Sequence, residues 1–108
     1  MSKSLTTTEN ERFYPIITPG EILKDEFVEP LGLTIHGLAR ELDVPATRIQ
    51  AIVNDGRQIT ADTALRLSRF FGNSPQFWMN LQANYELEKA TRVKGAVINE
   101  RVHRRRTG

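Results

Sequence analysis

Four polar residues in one short segment have side chains that can contact the edges of DNA bases. The segment runs from Ala46 to Asn54, and the four residues are Thr47, Arg48, Gln50 and Asn54. A glutamine can pair with adenine through two hydrogen bonds, an arginine can do the same with guanine or bind a phosphate, and a threonine methyl group suits that of thymine. Asn54 fits a contact with the DNA backbone, or a helix end, better than base reading. The pattern indicates a surface that reads sequence in a DNA groove.

These side chains need a rigid support, and residues 34–54 predict two short helices joined by a tight turn. Thr34 is suited to cap the earlier helix, and Asp43-Val44-Pro45 forms the predicted turn. The residues whose helical spacing directs them towards a core are Leu38, Ala39, Leu42, Val44, Ile49 and Ile52. An ordinary helical hairpin would bury the same residues. The short turn and the polar outer side favour a helix-turn-helix, whose second helix enters the DNA major groove.

Residues around the two helices are suited to bind phosphate groups. Arg40 and Arg57 flank the polar surface. Thr34 and His36 offer a hydroxyl group and an imidazole ring at the start of the earlier helix, where free backbone N–H groups also attract anions. Two nearby aspartates oppose phosphate binding, so the placement of individual charges has to decide the matter.

Net charge by itself indicates little about DNA binding here. Residues 1–88 carry 8 Lys and Arg against 12 Asp and Glu, a net charge of −4, whereas residues 89–108 carry 7 against 1, a net charge of +6. The basic character of the chain therefore comes from its tail. The tail run Arg104-Arg105-Arg106 fits either a solvated end or a non-specific phosphate-binding arm, whose binding would weaken steeply with salt.

Three further helices have recognisable ends in the sequence. They run from Thr18 to about Pro30, from Thr60 to Phe71, and from Ser74 to about Ala90. Thr18 and Glu21 have the spacing of a capping box. Trp78 lies at helical spacing from other apolar residues and is expected in the core. Strand-type alternation is confined to the N-terminal arm and the stretch near Val97-Ile98.

The predicted organisation is a single all-α domain of five helices with flexible-looking ends. Its parts are an N-terminal arm (1–17), a helix-turn-helix domain (18–90) and a basic C-terminal extension (91–108). The arm is expected to have a few apolar anchors, which are Phe13, Tyr14, Ile16 and Ile17.

Other classes of protein find little support. The two histidines, His36 and His103, have no nucleophile at motif spacing, so an enzyme is not expected. The chain has no cysteine, and no motif for a metal or a cofactor is present. Its apolar runs are far shorter than the roughly 20 residues of a membrane span, and its polar N-terminus lacks the apolar core of a signal peptide. A cytoplasmic protein is expected, without metal, cofactor or membrane.

Residues 18–90 resemble the HigA/VapI family of antitoxin-type DNA-binding proteins. The resemblance lies in three stretches: TPGEILKDEFVEPLGLT, LARELDVPATRIQAIVN and ITADTALRLSRFFGNSPQFWMNLQANYELEKA. The last stretch is the distinctive one, because helix-turn-helix patterns alone are common. The family often has Gly at the position of Asp43, a residue that also accepts a left-handed backbone.

The resemblance implies a fold of the phage-repressor type, a homodimer, and binding to a palindromic operator in the protein's own promoter. It also implies a partner, a small basic toxin that cleaves mRNA. The DNA contacts that it implies are Thr34, Arg40, Ala46, Thr47, Arg48, Gln50 and Arg57. With His36 and Asn54, these residues form the predicted DNA-binding site. Two alternatives stay open: a stand-alone helix-turn-helix regulator without a toxin, and a protein-interaction module whose acidic body docks a basic partner.

Overall fold

The computed structural model describes residues 15–106, which contain five helices and no strand. Helix α1 begins as an α-helical turn, Pro19–Ile22, and continues as a π-helix, Leu23–Val28. The others are α2 (Ile35–Leu42), α3 (Ala46–Asp55), α4 (Ala61–Phe71) and α5 (Pro75–Arg101). The all-α, five-helix prediction is thus confirmed for this part of the chain.

The chain divides into two compact units. One unit is Ile17–Tyr85, which contains α1 to α4 and the first part of α5. The other consists of residues 1–16 and 86–108, of which the structure describes residues 15–16 and 86–106. All nine predicted DNA-binding residues lie in the first unit, so its internal packing is what positions them.

Threonine side chains start three of the helices, as the sequence predicts. The Thr18 hydroxyl group accepts a hydrogen bond from the backbone N–H of Glu21 at 3.1 Å, and the Glu21 carboxylate accepts one from the backbone N–H of Thr18 at 2.8 Å. This is the predicted capping box. Thr34 caps α2 by accepting from the backbone N–H of Gly37 at 2.9 Å, and Thr60 caps α4. Each such cap stabilises its helix by about 1 kcal/mol.

Left-handed residues end three of the helices. Asp43 has φ 58° and ψ 49° at the end of α2, and Gly56 and Gly72 have φ 71° and 82° at the ends of α3 and α4. Asp43 is the one non-glycine residue with positive φ in residues 15–106. Its backbone N–H donates to carbonyl oxygens of the preceding turn. The tight turn between α2 and α3 therefore has the backbone geometry expected of it, with Asp in the place of Gly.

The core of the unit Ile17–Tyr85 receives apolar side chains from all five helices. Its buried members are Leu23, Val28, Leu38, Ala39, Leu42, Ile49, Ile52, Val53, Ile59, Ala64, Leu67 and Trp78. The predicted inward residues of α2 and α3 are all among them, and Val44 packs against this core from the turn, partly buried. Both helices of the pair are thus held by burial of one side, which leaves the other side to solvent.

Trp78 is the largest fully buried side chain, which confirms its predicted place in the core. Its ring centroid lies 4.8 Å from that of Phe27 and 5.0 Å from that of Phe77. Its indole N–H donates to the Asn73 side-chain oxygen at 2.9 Å, so the buried polar group is satisfied. The ring is not available to stack on a base.

The last helix is longer than predicted. It continues past Ala90 to Arg101, so residues 91–101 of the predicted basic extension are helical, and the stretch at Val97-Ile98 is helix rather than strand. No proline follows Pro75, Gly95 does not have a positive φ, and Arg92 pairs with Glu88 one turn earlier at 2.8 Å. Nothing therefore stops the helix near position 90.

The chain ends give mixed outcomes for the predicted arm and tail. Ile16 is partly buried, whereas Ile17 is 64% exposed, so the expectation that Ile17 anchors the arm is wrong for this chain on its own. Phe13 and Tyr14 lie outside the described residues. Residues 102–106 are exposed and form no helix or strand. In residues 15–106, no helix combines the length and apolar character that a membrane span requires.

Candidate nucleic-acid interface

The exposed side of α3 forms a polar face. Thr47, Gln50 and Asn54 are exposed and stand three and four residues apart, so they share one side of the helix. The opposite side is buried through Ile49 and Ile52. The chain's own fold leaves the three polar side chains uncovered within the described unit. We call this surface, Thr47, Gln50 and Asn54, the reading face.

Close packing with α1 supports α3 from beneath. Gly20 is buried in α1, and a Cβ atom at this position would collide with the backbone carbonyl group of Ile52. The backbones of α1 and α3 therefore approach more closely than any side chain would allow. Since the contact is with backbone rather than with a flexible side chain, it fixes the depth at which α3 lies.

The start of α2 and the loop after α3 carry the other predicted phosphate contacts. Thr34 and His36 are exposed at the beginning of α2, and Arg40 is exposed near its end. The Thr34 oxygen already accepts the capping hydrogen bond, but its hydroxyl hydrogen can still be donated. Arg57 is exposed just after α3, and neither Arg40 nor Arg57 forms an ion pair within the part of the chain that the structure describes.

Arg48 differs from the other predicted contacts because it is already paired. Its Nη1 donates to Asp62 Oδ2 at 2.7 Å, and the side chain is 35% exposed. The same carboxylate oxygen accepts a hydrogen bond from Arg66 Nε at 2.9 Å. Through these hydrogen bonds, first from Arg66 and then from Arg48, the pKa of the Asp62 carboxyl group is held below its usual value. Asp62 is therefore ionised at neutral pH, and Arg48 has a permanent counter-ion.

Arg66 fastens α4 to the turn between α2 and α3. Its Nη1 donates to the backbone carbonyl oxygen of Leu42 at 2.9 Å and to that of Asp43 at 3.2 Å. These hydrogen bonds satisfy carbonyl groups at the end of α2, where no helical partner remains. The left-handed turn residue is thus braced by the next helix, in addition to the apolar core below it.

A cleft of about 300 Å³ lies beside the reading face. Arg48, Arg57 and Arg66 line it together with Asp62 and the capping residue Thr60. Three guanidinium groups around one carboxylate leave the cleft with a local charge of +2. An anionic backbone lying along this edge of α3 would meet an attractive potential that one carboxylate partly offsets.

The nine predicted site residues fall into four groups in the structure. Thr47, Gln50 and Asn54 form the reading face; Thr34, His36 and Arg40 lie on α2; Ala46 and Arg48 are partly buried in the first turn of α3; and Arg57 follows the helix. Their DNA contacts stay a prediction. Sequence reasoning missed Asp62 and Arg66, although their spacing of four residues on one helix is a visible ion-pair pattern.

Comparison with known proteins places these features in a wider group. A family model described as helix-turn-helix matches residues 25–78. Virulence-associated protein I of Dichelobacter nodosus is 47% identical over 94 residues, covering 87% of this chain and 85% of that protein. A solved structure of the Pseudomonas aeruginosa antitoxin HigA with the higBA promoter has a TM-score of 0.79 and 44% identity, over 82% of this chain and 97% of that one. The antitoxin GraA in complex with its operator has a TM-score of 0.81 and 36% identity, over 87% of this chain and 95% of that one.

Proposed function

Because the chain belongs to the helix-turn-helix family, we propose that it is a sequence-specific DNA-binding repressor and the antitoxin of a toxin–antitoxin pair. One observation carries the proposal: the reading face is polar, uncovered and held rigidly from below. Two of its structural relatives are antitoxins described with promoter or operator DNA, which supports the same role here. The fold gives no support to catalysis, since the described residues bring no set of catalytic groups together, and the family is one of DNA-binding regulators.

In the proposed complex, α3 lies in the major groove with its reading face towards the base pairs. Gln50 and Thr47 contact base edges, because both are exposed in the first half of the helix and have the groups for adenine and thymine. Phosphate contacts come from Arg40 and Arg57, which are exposed and have no competing carboxylate partner among the described residues. Arg48 must first exchange its carboxylate partner for DNA.

The first residues of α2 would meet the backbone of the same duplex. Thr34 and His36 offer side-chain donors there, and the first N–H groups of the helix point in the same direction. Such contacts set the register of the protein on DNA without reading sequence. Ala46, partly buried at the start of α3, leaves room for the sugar–phosphate backbone to come close.

A palindromic operator requires two subunits, each reading one half-site, with about 34 Å between the half-sites. The proposed homodimer needs a self-complementary surface. Apolar side chains exposed in the second unit supply a candidate: Leu87, Val93, Val97, Ile98 and Val102 are between 48% and 70% exposed. We propose that a second copy of the chain covers them. The predicted N-terminal arm, at residues 1–17, is the other candidate surface.

The partner proposed for the antitoxin role is a small basic toxin that cleaves mRNA. Residues 1–88 carry a net charge of −4, which would attract such a partner. The proposed division of labour is an arm at 1–17, a DNA-binding domain at 18–90 and a basic extension at 91–108. Since the proposed ligands are DNA and an intracellular toxin, the proposed compartment is the cytoplasm.

The DNA-binding proposal is tested by equilibrium binding to duplexes from the promoter of the chain's own gene. We expect Gln50→Ala and Thr47→Ala to reduce the preference for operator over scrambled sequence by about 5- to 100-fold, because each base contact contributes roughly 1–3 kcal/mol of discrimination. Arg40→Ala and Arg57→Ala should weaken binding to both duplexes. Unchanged binding by all four variants would remove the assigned face.

The toxin part is tested separately by co-expression with the neighbouring open reading frame. A stable complex with a small basic protein, and growth arrest when that protein is expressed without the antitoxin, are the expected results. If neither is found while operator binding persists, the chain is a stand-alone regulator. If a protein complex forms and no DNA binding is seen at low salt, it is an interaction module.

A further inference from the structure

Asp62 places a negative charge beside the helix that is proposed to enter the groove. The residue lies in the first turn of α4 and lines the same cleft as Arg48 and Arg57. Its side chain is 54% exposed, so the carboxylate is not needed to compensate a buried charge. A phosphate group approaching this edge of α3 would be repelled by it.

The two arginines that share Asp62 are held differently. Arg66 makes three hydrogen bonds, one to Asp62 and two to backbone carbonyl oxygens of the turn, at 2.9 and 3.2 Å. Arg48 makes one described hydrogen bond, to Asp62 at 2.7 Å. Loss of the Asp62 charge would therefore leave Arg66 fastened to the turn and would release Arg48.

We propose that Asp62 is a specificity-determining residue: it holds Arg48 as an internal counter-ion in the place of a DNA phosphate, and releases it only on the operator. This inference rests on the proposed function. On the operator, base contacts by the reading face fix the helix in one register, in which Arg48 exchanges Asp62 for the duplex. On other DNA, Arg48 stays paired with Asp62 and adds nothing to binding.

The reason why this arrangement favours the operator lies in the physics of non-specific binding. Non-specific affinity comes almost entirely from cations that neutralise phosphates, and a protein on random DNA can settle in whatever register suits its cations. A free arginine at the edge of α3 would thus always find a phosphate. Pairing it with an exposed carboxylate removes that contact from random DNA at little expense to the operator complex, where the exchange is driven by the base contacts.

The test compares wild type with Asp62→Asn on an operator duplex and on a scrambled duplex of the same length, by fluorescence anisotropy between 50 and 200 mM salt. For the variant on scrambled DNA, we expect the slope of log K against log salt to steepen by about 0.9, the value for one added phosphate contact. Over this fourfold range of salt, that slope corresponds to about 3.5-fold more loss of affinity than for wild type. The ratio of operator to scrambled affinity at 50 mM should fall by about the same factor.

Three controls separate the mechanism from a general charge effect. Asp25→Asn changes the net charge equally, at an exposed residue with no ion pair in the described part of the chain, and should not alter the slope. Asp62→Glu keeps the charge and should retain discrimination. Arg48→Ala combined with Asp62→Asn should abolish the gain of Asp62→Asn on scrambled DNA. Thermal unfolding of each variant checks that the fold is kept.

An unchanged slope for Asp62→Asn, an equal gain for Asp25→Asn, or weaker binding of Asp62→Asn to both duplexes would overturn the inference; the last result would mean that Asp62 pre-positions Arg48 for contact on any DNA. If Asp62→Asn does not fold, Asp62→Glu combined with Arg48→Lys gives a second arm, since the weaker fit of the pair should also steepen the slope on scrambled DNA. A wild-type protein that fails to distinguish the two duplexes would contradict the proposed function itself. Wild-type discrimination that Asp62→Asn leaves intact would contradict only this inference.

Discussion

Gly20→Ala should loosen the support of the reading helix, because the added methyl group has no room. The new Cβ atom would lie against the carbonyl carbon and oxygen of Ile52 and the Cα atom of Val53, all of them backbone atoms of α3. Since ordinary carbon contacts need about 3.5–4.0 Å, α1 and α3 would have to separate by on the order of 1 Å. Overpacking of this kind destabilises by about 1–3 kcal/mol.

The expected change can be followed by circular dichroism at 222 nm. For a unit of this size, each 1 kcal/mol lowers Tm by about 4–8 °C, so the fall for Gly20→Ala should be at least about 5 °C. Gly95→Ala is the matched control: it lies inside α5, where the new Cβ atom would meet only the flexible Thr91 side chain at 3.3 Å. Because alanine favours a helix over glycine by about 1 kcal/mol, that control should keep or raise Tm. Equal Tm values for wild type and Gly20→Ala would refute the claim that the close approach fixes α3.

Two further substitutions test the turn and the proposed subunit contact. At Asp43, whose φ is 58°, a change to Gly should leave the free energy of unfolding within about 1 kcal/mol of wild type, whereas a change to Val should lower it by about 1–2 kcal/mol or more, as measured by urea denaturation, because a β-branched residue fits the left-handed region poorly; equal stability of the two variants would contradict this. Leu87→Asp combined with Ile98→Asp places two charges about three helical turns apart on one side of α5, and should convert a dimer to a monomer in light scattering and weaken operator binding. The exposed control Asn99→Asp should stay dimeric, and a double variant that remains a dimer would move the contact elsewhere.

Local chemistry made much of the fold predictable from the sequence. The caps at Thr18, Thr34 and Thr60 and the left-handed ends at Gly56 and Gly72 depend on residues within one helical turn. Such patterns can be read without knowledge of the rest of the chain. The reading face follows in the same way, since one-sided burial of α3 leaves its polar residues on the other side.

Contacts between distant residues were not predictable in this way. The pair of Arg48 and Asp62 joins residues 14 positions apart, and the close approach of Gly20 to α3 joins residues more than 30 positions apart. No spacing rule marks such partners. Arg48 was therefore assigned to DNA as a free cation, when its guanidinium group already has a carboxylate partner.

The end of the last helix was misplaced for a different reason. A helix end is recognised by a stop such as Gly with positive φ or Pro, and the residues after Ala90 contain neither. The run of charges in the tail suggested a separate extension, but Lys and Arg are good helix formers and extend the helix. The change in composition at about residue 90 is thus not a structural boundary.

The most direct test of the central claim is a hydroxyl-radical footprint of the full chain on the promoter of its own gene. The account predicts two protected patches on the same side of the duplex, with centres one helical turn or a whole number of turns apart. Protection should be lost in Gln50→Ala combined with Thr47→Ala, while the fold of that variant is unchanged. Protection that is absent in wild type, or that persists in the double variant, would show that the exposed side of α3 does not read DNA.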